Sequence, residues 1–205
     1  MAAPRIGDLD PSLLQNAVEG QLIGSRIEVL SQASSTNDEV LQRARQQADE
    51  GLVIFADEQT AGRGQHGNKW EAPAGKALLL SILLKPRLAL TESARLTQWA
   101  AQAVAASIQQ MFSIDAQIKP PNDIYIHDRK VAGVLAEMRA QERGPHIAVV
   151  GIGLNLNQEP DDFSIAIRDN ATSLAIATGK GVDRSRVAIA LLRELERTYA
   201  LVFAL

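Results

Sequence analysis

The sequence predicts an α/β fold: a mixed β-sheet packed with helices. Helical and β-prone segments interleave along the chain, and one β pair reads as a hairpin, so the sheet is expected to be mixed rather than purely parallel. The 205 residues are 46% hydrophobic and 22% charged, which supplies one large domain with a buried core. No internal repeat and no linker-like shift in composition divides the chain.

The elements follow in order. A short amphipathic helix is expected after Asp10, where Pro11 suits a first helical turn, ending near Gly20. Residues 26–30 read as a brief strand. Ser34-Ser35-Thr36-Asn37 opens a helix, with Thr36 and Glu39 at capping-box spacing. Val40, Leu41, Ala44 and Ala48 mark its buried face and Gly51 its stop. Residues 52–56 are an apolar run between turn signals, hence a buried strand. Residues 62–75, rich in glycine and carrying Pro73, are expected to form a long loop. A second buried strand covers 77–84, and the Ala-rich stretch 93–112 has no breaker and reads as a helix. Ile118-Lys119 runs into Pro120-Pro121-Asn122-Asp123, which no regular element is expected to contain. Residues 124–126 and 131–138 make a hairpin about His127-Asp128-Arg129. Arg143-Gly144-Pro145 turns the chain into the β-prone run 146–156. A polar loop around Pro160, a short helix over 172–178 and an amphipathic helix over 183–205 complete the chain.

Composition excludes several classes of function. Lys and Arg number 21 against 24 Asp and Glu, a net charge of −3, which is no electrostatic footprint for nucleic acid. Cysteine is absent, so disulfides, thiolate metal sites and a cysteine nucleophile are excluded. Residues 1–11 lack the apolar segment of a signal peptide, and no run approaches the roughly 18 apolar residues of a membrane span. A cytoplasmic protein without nucleic-acid or membrane partners is expected. No His, Asp and Glu spacing resembles a zinc site, and no Gly-x-Ser-x-Gly nucleophile elbow is present.

Three segments carry chemistry. Gly62-Arg63-Gly64-Gln65-His66-Gly67 has the letters of a dinucleotide fingerprint, but Pro73 and Gly75 keep it from opening a helix and no acidic ribose partner follows, so that reading is rejected. Two readings then fit the loop. Its amides, Arg63 and Lys69 could converge on an anion with Trp70 as a stacking face, or it is a mobile surface loop anchored by Trp70. In the second segment, rigid Pro120-Pro121 precedes Asn122-Asp123, and Lys130 stands where a hairpin strand turns apolar. Its ammonium there wants a carboxylate or phosphate partner, though solvated hairpin charges would look the same. In the third, Gly151 and Gly153 alternate along an apolar strand that ends in Asn155. One strand face is thereby bare, leaving room either for a flat ligand or for a closely packed helix.

Taken in this order, the segments resemble the biotin–protein ligases. The matching stretches are Ser34–Asn37, Gln59-Thr60-Ala61-Gly62-Arg63-Gly64 with Gly67 and Trp70, Pro121-Asn122-Asp123-Ile124-Tyr125, Asp128 through Glu137, and Gly151 through Asn155. The resemblance implies a core like the class II aminoacyl-tRNA synthetase and biotin–lipoate ligase catalytic domain. It also implies two half-reactions. Biotin and ATP give biotinyl-5′-AMP, and the biotinyl group then passes to a lysine of a biotin carboxyl carrier protein, as in acetyl-CoA carboxylase. By position, Ser35, Thr36, Asn37 and Gln59 would hold biotin, with Gly62, Gly64, Gly133 and Gly151 giving it room. Arg63 and the glycine loop would close over biotin and adenylate. Gln65, His66, Gly67, Trp70, Asn122 and Asn155 would contact the nucleotide. Lys130 would bind the biotin carboxylate and the α-phosphate, and Asp123 would act as a base or hold Mg²⁺.

The chain departs from the family's pattern in places. Gln65-His66 stands where many members carry arginines, which implies weaker retention of the adenylate, and Pro120 replaces a common Trp. A single catalytic domain over 1–205 is expected, without an N-terminal winged helix-turn-helix and without a C-terminal β-barrel. A homodimer would rest on surface strands that the sequence does not locate. Two alternatives remain: a non-catalytic or leaky biotinyl-AMP-binding homologue, and a lipoate or octanoate transferase of the same fold.

Overall fold

The computed structural model describes residues 9–203 apart from residue 143. Residues 1–8, Arg143 of the expected turn and the last two residues of the expected terminal helix lie outside the described residues. Five helices are described: α1 (Pro11–Ala17), α2 (Thr36–Arg45), α3 (Ser93–Phe112), α4 (Leu174–Thr178) and α5 (Arg184–Phe203). The strands are β1 (Arg26–Leu30), β2 (Leu52–Ala56), β3 (Ala77–Leu84), β4 (Gln117–Lys119), β5 (Asp123–Ile126), β6 (Arg129–Arg139) and β7 (Ile147–Asn155). They form one sheet in the order β1-β2-β3-β7-β6-β5-β4. β1 runs parallel to β2 and the other neighbours are antiparallel, so the sheet is mixed.

Central strands read as unbroken apolar runs because both of their faces are covered. β2 and β3 are buried at every position. Leu78, Leu80, Ile82 and Leu84 of β3 join Val150 and Ile152 of β7 in the main core, which α3 and α5 complete. Alternate residues point to the other face, where Ile54, Leu83 and Val149 pack beneath Val40 of α2. Along that second face the side chains then shrink. Ser81 pairs with Gly151, and Gly153 pairs with Gly133 of β6. α2 covers only the apolar part, and the small residues beyond it make the floor of a cavity.

Several boundaries differ from expectation. α2 begins at Thr36, so Ser35 is the N-cap, and it makes no side-chain capping bond. The expected capping box does not form, because the Thr36 hydroxyl turns to Gln59 and Glu39 pairs with Arg43. The helix also stops at Arg45, before Gly51, although its apolar face is as expected. Asp123 opens β5, opposite Lys119 on one side and Gly133 on the other, so a strand does contain part of the Pro-Pro-Asn-Asp segment. The β5–β6 turn is confined to His127 and Asp128, both left-handed with φ of 47° and 60°, as a tight hairpin requires. Among the described residues no helix is long and apolar enough to cross a membrane.

Candidate active site

On the α2 side of the sheet lies a cavity of about 260 Å³. Ser35, Thr36, Asn37 and Gln59 line one end, and Asn122, Asp123, Lys130 and Gly133 the other. Arg63, Gly64, Gln65 and Trp70 enter from the glycine segment, with Gly151 and Gly153 beneath.

The first end is uncharged and built from a closed set of hydrogen bonds. Gln59 Oε1 accepts from the Thr36 N–H at 2.7 Å. The Thr36 hydroxyl lies between Gln59 Oε1 at 3.0 Å and Ser81 Oγ at 2.7 Å. Asn37 Oδ1 can only accept, so the proton of Ser81, 2.6 Å away, goes to it. The Asn37 amide in turn donates to Glu137 at 2.7 Å. Sequence reasoning missed Ser81, whose one signal is a lone hydroxyl inside the fully buried run of β3. Ser81→Ala leaves a buried amide oxygen without its donor and is expected to lower stability by about 1–3 kcal/mol, read as a shift in the urea midpoint.

At the other end Lys130 Nζ lies 2.7 Å from Asp123 Oδ1. A regular strand would put Lys130 and Gly133, three residues apart, on opposite faces. A bulge prevents that: Ile124 pairs with Ala132 but Tyr125 with Lys130, so Val131 is the extra residue. The ammonium therefore reaches the cavity face, 5.8 Å from the Trp70 ring.

The glycine segment is no open loop. Arg63 bridges Lys69, the Trp70 N–H donates to Gly62 at 3.0 Å, and the Gly64 N–H donates to Asn68 at 2.7 Å. These bonds make residues 62–70 a compact hairpin whose tip is the short turn Gln65–Gly67. The Gly64 and Trp70 amides are therefore spent within the hairpin. Arg63 is clamped by Asp38 Oδ2 at 2.6 Å and Glu137 Oε2 at 3.1 Å. Hydrogen bonding to Asp38, and then to Glu137, raises its pKa above the ordinary guanidinium value against the opposing effect of burial. Asp38 and Glu137 also went unrecognised in the sequence as site groups, since their roles depend on which way the hairpin folds.

The bare face of β7 is filled by the protein itself. A Cβ on Gly151 would meet Asn37 Oδ1 at 2.3 Å, and one on Gly153 would meet Trp70 Cε2 at 2.4 Å. Gly133 is likewise under the Trp70 ring. The glycines thus admit an α2 side chain and an indole, and they remain part of the cavity lining. The buried Trp70 Nε1 has no hydrogen-bond partner among the described residues.

Three expected contacts, Gly62, Gly67 and Asn155, are absent from the lining of this cavity. Gly62 and Gly67 line an adjoining cavity of about 540 Å³ that shares Arg63 and Trp70 with the first. The His66 side chain lies outside what is described. Asn155 is absent from the lining of the inner cavity and 5% exposed, its amide committed to Thr172 O at 3.0 Å and to Gln158 Nε2 at 2.7 Å. Asn122 does reach the cavity, while its amide donates to Val134 O at 3.1 Å.

Comparison with known proteins agrees with this architecture. The family model for the biotin/lipoate A/B protein ligase family matches residues 29–155. The bifunctional ligase/repressor BirA of Bacillus subtilis is 36% identical over 193 residues, covering 94% of this chain and 59% of the relative. The biotin–[acetyl-CoA-carboxylase] ligase of Mycobacterium tuberculosis is 36% identical over 198 residues, covering 92% of this chain and 71% of the relative. Among solved structures, the biotin protein ligase from Aquifex aeolicus in complex with biotin and ATP superposes with a TM-score of 0.75 at 28% identity, covering 87% of this chain and 72% of that one. The chain belongs to the biotin/lipoate A/B protein ligase family, on its biotin–protein ligase branch. It spans 59% of the length of the BirA relative.

Proposed function

We propose that this chain activates biotin with ATP to biotinyl-5′-AMP and passes the biotinyl group to a lysine of a biotin carboxyl carrier domain. One observation carries the reading: a single cavity joins a neutral, hydrogen-bonding end at Thr36, Asn37 and Gln59 to a cationic end at Lys130. An uncharged ureido ring suits the first end and an anion the second. Biotin has both, joined by an apolar chain.

In the first step a biotin carboxylate oxygen attacks the α-phosphorus of ATP, and the bond to pyrophosphate breaks. Two anions must approach, so a fixed ammonium between them lowers the barrier. Lys130 supplies that charge, whereas Arg63, also on the lining, is already paired with Asp38 and Glu137. Trp70 offers its ring to the adenine, and an acceptor on the ligand would satisfy its buried Nε1. In the second step the acceptor lysine attacks the acyl carbon as its neutral amine, AMP leaves with the electron pair, and the proton shed by the nitrogen passes to solvent. Neither step needs a protein nucleophile, which agrees with a chain that has no cysteine.

Mg²⁺ would arrive with the triphosphate. Among the described residues Asp123 is the one carboxylate in the cavity lining, and a single carboxylate beside phosphate oxygens is a usual Mg²⁺ environment. The same carboxylate already faces Lys130, which suits a role in orienting the ammonium better than one as a general base.

The test is labelling of a purified apo carrier domain with biotin, ATP and Mg²⁺, read by avidin blot. One labelled lysine, lost when ATP is omitted, is the expected result. Biotin-dependent pyrophosphate release without labelling would reduce the chain to an adenylating enzyme. Biotin binding with neither activity would leave a binding protein and overturn the proposal.

A further inference from the structure

We infer that Glu137 is a positioning residue for biotin, holding α2 and the glycine hairpin in register through one carboxylate oxygen; the inference rests on the reading of the cavity as a biotin site. Gly133, Leu135 and Glu137 alternate along β6 and so share the face that looks into the cavities. Gly133 and Leu135 line the first cavity, and Leu135 and Glu137 the adjoining one. β6 thus brings the Lys130 ammonium to one end and a carboxylate to the other. Glu137 Oε2 takes two donors that belong to different elements: the Asn37 amide of α2 at 2.7 Å and Arg63 Nη2 of the hairpin at 3.1 Å. Its other oxygen accepts from the exposed Arg139 at 3.3 Å.

The hairpin depends on this contact. Its own hydrogen bonds close within residues 62–70, and the Trp70 ring makes none. Among the described residues, the only hydrogen bonds and ion pairs that join 62–70 to the rest of the chain run from Arg63, to Asp38 and to Glu137. Asp38 is itself on α2, so the contacts close a triangle of α2, β6 and hairpin, and Glu137 makes two of its three sides. An isolated pair at the half-exposed Arg63 would contribute little. This one shares its oxygen with the amide of Asn37, a buried residue whose Oδ1 is already spent on Ser81. Without Glu137 the first turn of α2 and the hairpin move independently, and a biotin held between them binds less well. Lys130 keeps its Asp123 partner at the far end, so the chemical step at saturating biotin is spared.

Glu137→Ala separates this role from that of a surface ion pair. A rise of about tenfold or more in KM for biotin is expected, with kcat for pyrophosphate release within about threefold of wild type. In the ligand-free protein, acrylamide quenching of Trp70 is expected to rise about twofold, with the buried Trp99 as a constant background. Glu137→Gln keeps an oxygen for both donors and is expected to fall between wild type and Glu137→Ala in both readouts. It is read in place of Glu137→Ala should that variant not fold. A fall in kcat at unchanged KM would put Glu137 in the chemical step and overturn the inference. Movement of KM alone, of quenching alone or of neither would overturn it too, since one oxygen would then not serve both elements. A wild-type chain that neither binds nor activates biotin would sink the proposed function, whereas an active wild type with Glu137→Ala unchanged sinks this inference alone.

Discussion

Lys130→Ala is expected to lower the rate of biotinyl-5′-AMP formation by about a hundredfold to a thousandfold, the loss seen when one preorganised stabilising group is removed. Single-turnover pyrophosphate release measures it. The fold is expected to survive, since Lys130 is half-buried and its backbone bonds do not depend on the side chain. Deleting the ammonium also releases Asp123 from its 2.7 Å partner and leaves a carboxylate facing the incoming phosphates. The combined Lys130→Ala, Asp123→Asn variant is therefore expected to be less impaired in nucleotide binding than Lys130→Ala alone. Lys130→Arg is not expected to rescue, because a planar fork does not fit where a compact ammonium lies over Gly133. Full activity in Lys130→Ala would remove the cation from the mechanism.

Much of the fold was legible because it rests on local pattern. β2 is an unbroken apolar run between turn signals, β3 is one interrupted only by Ser81, and α3 has no breaker over its length. What sequence could not reveal depends on pairing between distant segments. The capping-box spacing of Thr36 and Glu39 is real, yet Gln59 and Ser81 outcompete the helix end for the Thr36 hydroxyl. Most of the candidate residues about biotin do meet at one cavity. The parity of Lys130, by contrast, is set by a single extra residue in β6, which no periodicity displays.

The glycines of β7 carry the second large prediction, because their two neighbours differ in freedom to move. At position 151 an added Cβ falls 2.3 Å from Asn37 Oδ1. Asn37 cannot retreat cheaply: Ser81 holds its oxygen, Glu137 its nitrogen, and it sits on the first turn of α2. Gly151→Ala is expected to lower stability by about 1–3 kcal/mol, as overpacking in a fixed core does. It also distorts the Thr36–Asn37 end, so biotin affinity is expected to fall by at least about tenfold in calorimetric titration. At position 153 the clash is with Trp70, whose ring is held by no hydrogen bond among the described residues and can turn about its own side-chain torsions. Gly153→Ala is accordingly expected to leave stability nearly unchanged, to shift tryptophan emission to the red, and to weaken ATP more than biotin. Of the two tryptophans, Trp99 is buried in the main core and serves as a constant background. If both variants weakened the same ligand equally, the two ends of the cavity would not be separate subsites, and the division between a ureido end and a phosphate end would fall with it.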